Sequence, residues 1–307
     1  MSWRAGARRL LIVSGKGGVG KSTVAAAAGV AAARAGLRTI VAELAGRHDV
    51  AALLGAQAGE GMREVEIYRG LHHVTIEREP ALEEYLRNEV PGPLPAAMLA
   101  RSRAFDLFIE AAPGMGELLS VGKLWELTQR PRHARGAREY DLVVLDGPAS
   151  GQLIGLLQAP HTFGSMVRGG PVARQGAAID EVLFDPAQTE LLAVAAAEQM
   201  AVSETLALQA ELRERFHVEL RAVVVNRMVP ARFTSHEAAA LRAAPDHPAV
   251  RSALWLYGRA EAQHTQLRRL RDEIGAVATS TLPFLFGADF GRAQVEQLAE
   301  LLEHSVR

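Results

Sequence analysis

One stretch limits the fold more than any other: Gly15-Lys16-Gly17-Gly18-Val19-Gly20-Lys21-Ser22-Thr23. It lies between the apolar run Leu10–Ser14 and the alanine-rich stretch Thr23–Ala35. The first reads as a strand and the second as a helix, so the sequence predicts strand, glycine-rich loop and helix in immediate succession. Glycines let the backbone curl until consecutive N–H groups converge on phosphate oxygens. The helix starting near Lys21 adds the positive end of its dipole. Lys21 can then reach the β- and γ-phosphates of a nucleotide, and the Ser22 hydroxyl can ligate Mg²⁺. The expected contacts are Gly15, Lys16, Gly17, Gly18, Val19, Gly20, Lys21, Ser22 and Thr23, for ATP or ADP with Mg²⁺.

The rest of the chain repeats this alternation. Thr39–Glu43, His73–Ile76, Leu142–Asp146, Leu191–Ala195 and Ala222–Asn226 read as strands, with Val277–Leu282 a weaker one. Several are nearly unbroken apolar runs, the mark of a parallel sheet covered on both faces. Helical patterns such as Gln199–Phe216 lie between them. The expectation is an α/β fold: a doubly wound, mostly parallel sheet of the P-loop NTPase type, forming a single domain over residues 1–307. One interval breaks the rhythm, a helical insertion over about 80–138, rich in proline and carrying Leu99, Phe105, Leu107, Phe108, Ile109, Met115, Leu118, Leu119, Leu124 and Trp125. It reads as helices covering one face of the sheet, or as a surface for a protein client or a dimer. A second helical segment over about 235–275, with Trp255 and Tyr257, reads as packing against the sheet edge.

Composition removes several alternatives. The absence of cysteine rules out disulfides, thiolate metal sites and iron–sulfur clusters. The ten histidines show no metal-binding spacing. A formal charge of -1 argues against bulk attraction to nucleic acid or anionic lipid. Met1 to Arg9 is too short and too basic for a complete signal peptide, and no run approaches the ~18 apolar residues of a membrane span. The expected setting is cytoplasmic, with no integral membrane segment and no nucleic-acid partner.

Two further positions carry candidate chemistry. The run Tyr140-Asp141-Leu142-Val143-Val144-Leu145-Asp146 is an apolar strand ending in a carboxylate. With a phosphate loop at the head of the chain, Asp146 is a candidate for holding the Mg²⁺ hydration shell, alongside Ser22. Asn226 ends the strand Ala222–Asn226, and its amide can donate to and accept from an adenine edge at once. The alternative is an Asn that caps a strand-to-loop turn.

Together these motifs resemble the arsenite-pump and tail-anchored-protein-targeting ATPases, the deviant Walker A class of P-loop proteins. Lys16, the early second lysine, is similar to a residue that in that class crosses a dimer interface to the partner's nucleotide. The resemblance therefore implies a dimer, either a homodimer or a heterodimer with a paralogue, and gives Lys16 and Lys21 catalytic roles. Gly147 to Pro160 resembles the family's second switch, with Gln152 where a His is usual. Asn226 matches the adenine-reading Asn, and Leu282-Pro283-Phe284 falls where the adenine-flanking loop lies, which implicates Pro283 and Phe284.

The chain departs from the family after its second strand. Family members carry an Asp there that positions the attacking water; registering His48 on the family's His places Ala45 at that position. Glu43, at the end of the strand, is the candidate replacement, and its alternative is a structural strand-end acid. A shift of two residues along an extended chain displaces a carboxylate by ~6–7 Å. Two readings follow: an ATP-hydrolysing dimeric switch, or a catalytically weak ATP sensor that regulates or pairs with an active paralogue. A partition or division-positioning ATPase ranks behind both, since the basic charge and terminal amphipathic anchor of such proteins are absent from the sequence.

Overall fold

A computed structural model describes residues 9–89, 114–133, 136–166, 171–287 and 289–304. Among these are eight strands, mostly parallel and flanked by helices, so the fold is α/β of the P-loop NTPase type, as the alternation predicts. The chain divides into two compact units. One comprises the residues up to Ser14, Lys21–Leu191 and those from Phe290 onward, and the other comprises Gly15–Gly20 and Leu192–Asp289.

In the first unit the strands are β1 (Leu10–Gly15), β2 (Thr39–Leu44), β3 (Val65–Tyr68), β4 (Leu71–Ile76) and β5 (Leu142–Ala149), in the order β3-β4-β2-β5-β1. Strand β2 runs parallel to β4 and β5, and its register brings Glu43 opposite both Thr75 and Asp146. All six residues of β1 are buried. A strand covered on both faces has no polar side to alternate, which is why Leu10–Val13 reads as a continuous apolar run. Strand β3 escapes the sequence reading. It is a four-residue antiparallel edge strand with one buried position, too short and too polar to stand out.

Helix α1 (Lys21–Arg34) is buried continuously from Val24 to Ala32. Its alanines explain this, because a helix apolar all round has to lie inside, and small side chains allow close approach of the strands beside it. Helix α2 (Asp49–Leu53) is a single short turn after β2.

The helical expectation for the interval before β5 holds where it is described, in α3 (Arg78–Glu89) and α4 (Met115–Thr128). Residues 90–113, with Leu99, Phe105, Leu107, Phe108 and Ile109, lie outside the described residues. Helix α4 buries Leu119, Val121, Leu124 and Leu127 in its own unit. It also buries charge. Lys123 Nζ donates to Glu84 of α3 at 2.7 Å and to Glu126 at 3.0 Å, and Arg132 Nη2 donates to Glu126 at 2.8 Å and to Glu64 at 2.7 Å. The Tyr140 hydroxyl donates to Glu64 at 2.7 Å. Burial alone would push the Glu126 carboxyl up, but Arg132 and Lys123 more than offset it and hold the group below the usual carboxylate range. Helices α5 (Ser150–Met166) and α6 (Pro171–Phe184) follow β5, and α10 (Arg292–His304) packs on α1.

The second unit contains β7 (Ala222–Met228) between β6 (Thr189–Ala196) and β8 (Ala278–Pro283), all parallel. Helix α7 (Gln199–Phe216) spans the range read from sequence. The segment read as one helical stretch is two helices, α8 (Ser235–Ala243) and α9 (Pro248–Glu273). A reciprocal capping box between Thr234 and Glu237 starts α8, and Pro248 at the first position starts α9. The contact is with an interior strand and not the sheet edge: Gln263 of α9 accepts from Val229 N–H at 2.7 Å and donates to Arg227 O at 3.0 Å, where β7 ends. Trp255 instead remains 62% exposed.

The buried charges predict a specific sensitivity. Glu126→Ala leaves Lys123 and Arg132 short of a shared partner, so chemical denaturation is expected to show a loss of roughly 3 kcal/mol. A midpoint shift as small as that of an exposed charge substitution would refute the assignment.

Candidate functional site

The phosphate loop begins where β1 ends. Gly15, Gly18 and Gly20 take φ of 143°, 82° and 95°, which side chains rarely adopt. Two of these glycines are also demanded by space: a Cβ at Gly15 would strike the Val194 carbonyl, and one at Gly20 would strike the Asn226 amide nitrogen. Asn226 itself is buried. Its Nδ2 donates to Val19 O at 3.0 Å, and its Oδ1 accepts from Arg227 N–H at 2.9 Å. Arg227 Nη1 adds a bond to Gly18 O at 3.0 Å. The end of β7 thus holds two loop carbonyls with donors, the arrangement a loop needs if its amides are to face an anion. Asn226 retains one N–H and one lone pair beyond these bonds.

Lys16 Nζ lies 3.7 Å from Glu204 of α7, with about a third of each side chain exposed. Pro283 closes β8, and Phe284 N–H donates to Met228 O at 2.8 Å, bringing that loop to the end of β7. Phe284 is partly exposed and meets Phe286 edge-to-face at 4.9 Å, and the Arg232 guanidinium lies 5.3 Å from the Phe286 ring centre. Phe286 and Arg232 were not singled out from sequence, although the Phe-Leu-Phe pattern was a usable signal.

Lys21, Ser22 and Thr23 open α1. The Ser22 hydroxyl donates to Asp146 Oδ2 at 2.7 Å, so the two residues expected to serve a metal are in contact. Asp146 is wholly buried, and its Oδ1 has no hydrogen-bond partner. Burial raises its pKa to about 6, partly opposed by the Ser22 hydrogen bond and by the charges of Arg47 and Lys21. A buried orphan carboxylate oxygen beside a serine hydroxyl is a hard-oxygen donor set that suits Mg²⁺. The carboxylates of Glu43, Asp49 and Asp146 also offer oxygens within 4.8 Å of one another.

Glu43 makes the contacts of a structural strand-end acid. It is wholly buried, Oε1 accepts from Asp49 N–H at 3.0 Å, Oε2 accepts from Val50 N–H at 3.0 Å, and His73 Nε2 lies 2.8 Å from Oε2. The carboxylate therefore caps the start of α2 from β2, where the designated cap His48 makes no side-chain bond to the helix. Orienting water is a task Glu43 could perform only in addition to these three bonds. Sequence reading missed His73 as its partner, because thirty positions separate the two residues. Ala45 takes φ of 57°. His48 Nδ1 lies 2.9 Å from Thr75 Oγ1, which donates to Arg47 O at 3.1 Å.

A mostly parallel sheet flanked by helices, with a buried strand-end Asp in contact with a helix-opening serine, fits a P-loop NTPase-type protein. The sequence model of the Anion-transporting ATPase family matches residues 8–169 and 171–304, and the chain belongs to that family. It is 29% identical over 255 residues to ATPase BagA of Mycobacterium tuberculosis, covering 81% of this chain and 74% of that one. It is 25% identical over 286 residues to an arsenical pump-driving ATPase of Acidiphilium multivorum, and 24% identical over 246 residues to one from Escherichia coli. It spans 46% and 40% of the length of those two relatives. Family membership supports an ATPase activity, and proteins of this type generally use nucleotide and Mg²⁺. Among the described residues, no helix is long and apolar enough to cross a membrane.

The elevated Asp146 pKa has a stability consequence. The folded protein binds this proton more tightly than the unfolded chain, whose Asp titrates near 3.8. The ionised carboxylate therefore lowers stability progressively as pH rises from about 4 to about 6, and by a constant amount above that. Asp146→Asn is expected to melt higher than wild type at pH 7.5, by roughly 1–3 kcal/mol, with the gain vanishing near pH 4. An equal gain at both pH values would refute the assignment.

Proposed function

We propose that the chain binds Mg-ATP and hydrolyses it as a nucleotide-dependent switch, working as a homodimer or with a paralogue in the cytoplasm. The observation that carries this reading is the 2.7 Å Ser22–Asp146 bond at the start of α1. It joins the residue that follows the phosphate-binding lysine to a buried carboxylate with an oxygen to spare. In this reading the amides of Gly15–Ser22 take the phosphates, Lys21 takes the charge of the terminal groups, and Ser22 and Asp146 hold Mg²⁺. The cation would neutralise charge developing on the phosphates. Asn226 offers its remaining N–H and lone pair to adenine, with Pro283 and Phe284 beside the base. Lys16 completes the partner's site across the dimer, and the helical interval before β5 passes the nucleotide state to a protein client.

A second reading, the ATP sensor with little turnover, is favoured by one feature. Ala45 has no carboxylate to offer, and Glu43 is engaged three times over. The two readings separate in one assay. Phosphate release above background that falls at least roughly 100-fold in Lys21→Ala supports the switch. Tight ATP binding by calorimetry without release supports the sensor, and no binding at all refutes both. Ala45 sits in left-handed backbone, which Asp tolerates better than most residues. Ala45→Asp is expected to raise turnover about 10-fold or more; an unchanged rate would mean another group orients the water. Solution mass with and without Mg-ATP tests the dimer.

A further inference from the structure

The loop after β2 delivers an arginine to the carboxylate assigned to Mg²⁺, and nothing in the reading above uses it. Ala45 and Gly46 take φ of 57° and 71°, a left-handed pair that turns the chain sharply. Arg47 emerges from that turn against Asp146. Its Nη2 donates to the Asp146 main-chain oxygen at 2.8 Å, its Nη1 lies 3.5 Å from Asp146 Oδ2, and its Nε reaches Leu44 O at 3.4 Å. Thr75 fixes the Arg47 carbonyl from β4. The guanidinium is thus placed by several groups, yet its side chain is 34% exposed beside a carboxylate with no exposure.

The form of this pair separates it from a permanent structural salt bridge. Arginine satisfies a carboxylate best with two parallel bonds, one to each oxygen. Here the fork is divided: one nitrogen takes the main-chain oxygen, the other stands at long range from Oδ2, and Oδ1 receives nothing. Oδ2 is shared with Ser22. The charge on Asp146 is therefore countered by a cation that leaves Oδ1 without a partner. The buried pairs of Arg132 show the contrast, since Glu126 and Glu64 each give both oxygens to that one guanidinium.

We propose that Arg47 is the resident counter-ion of Asp146, a positioning residue that competes with Mg²⁺ for this carboxylate and so sets the cation concentration at which the site loads. The inference rests on the assignment of Ser22 and Asp146 to Mg²⁺. Two like-signed charges cannot share one buried carboxylate without mutual repulsion, so cation entry displaces the guanidinium. Arg47 is only two residues from Asp49, whose N–H bonds to Glu43 at the start of α2, so the exchange acts on the loop that leads into that helix.

The test uses the full chain and two readouts. Mn²⁺ binding without nucleotide is followed by electron paramagnetic resonance in wild type, Arg47→Ala, Arg47→Met and Arg47→Lys, with Asp146→Asn as the control that loses the site. Calorimetry then gives ADP affinity across a Mg²⁺ series. Arg47→Ala and Arg47→Met are expected to bind Mn²⁺ roughly tenfold more tightly and to lower the half-saturating Mg²⁺ for ADP by a similar factor. Arg47→Lys, which keeps the charge and loses the fork, should fall between them and wild type. Mg²⁺-free ADP affinity should stay within about twofold of wild type, because Arg47 acts through Asp146. Wild-type or weaker Mn²⁺ affinity in folded Arg47→Ala and Arg47→Met, as judged by circular dichroism, overturns the proposal. So does a marked loss of Mg²⁺-free ADP binding, which would make Arg47 a phosphate ligand. If wild type binds no ADP at any Mg²⁺ concentration, the nucleotide reading falls, and the Mn²⁺ comparison still decides the role of Arg47.

Discussion

A carboxylate kept wholly out of water at the end of β5 is the constraint to which the surrounding first-unit structure answers. Isolated ionised groups are expensive to bury, so Asp146 requires donors and cations around it. They come from two parts of the chain: the Ser22 hydroxyl and the Lys21 charge from the start of α1, and the Arg47 guanidinium from the loop after β2. What they leave unmet is informative. Oδ1 has no partner, and the pKa stays raised to about 6. A folding-only solution would have paired both oxygens, as Arg132 does with Glu126. An incompletely compensated carboxylate is instead poised for a stronger cation.

The same reasoning separates Glu43 from Asp146, although register places them side by side on adjacent parallel strands. Glu43 is as deeply buried, but its two oxygens collect two helix N–H groups and His73. That solves a folding problem. Helix α2 is one turn long, too short to stabilise itself, and its first amides need acceptors that the His48 side chain does not supply. Two neighbouring acids thus differ, one tying a loop to the sheet and the other left with an unpartnered oxygen.

Much of this was legible in the sequence, and for local reasons. The phosphate loop is a contiguous motif whose glycines are demanded by backbone angles and close approach, so residue types alone announce it. Strands β1, β2, β5 and β7 read correctly because burial on both faces leaves uninterrupted apolar runs. Helix α7 read to the residue because its apolar periodicity starts and stops cleanly. The misses are of another kind. Strand β3 has one buried residue and no periodicity worth the name. The pairing of Glu43 with His73 and the ring of charges from Glu64 to Tyr140 are contacts between distant positions, for which a single sequence holds no signal. Arg47 looked like an ordinary loop cation until the left-handed Ala45-Gly46 turn gave it a direction.

That turn also bears on the expectation that Ala45 stands where a switch Asp is usual. The left-handed backbone that Ala45 adopts leads directly into Arg47, which lies against Asp146. An Asp at position 45 would add a second negative charge beside a guanidinium already shared with Asp146, and the two acids would draw on one cation. The electrostatic consequence is a carboxylate whose charge Arg47 counters in part, with Oδ1 left without a partner. On the proposal that Arg47 competes with Mg²⁺ for Asp146, a loop organised in this way governs when the cation enters.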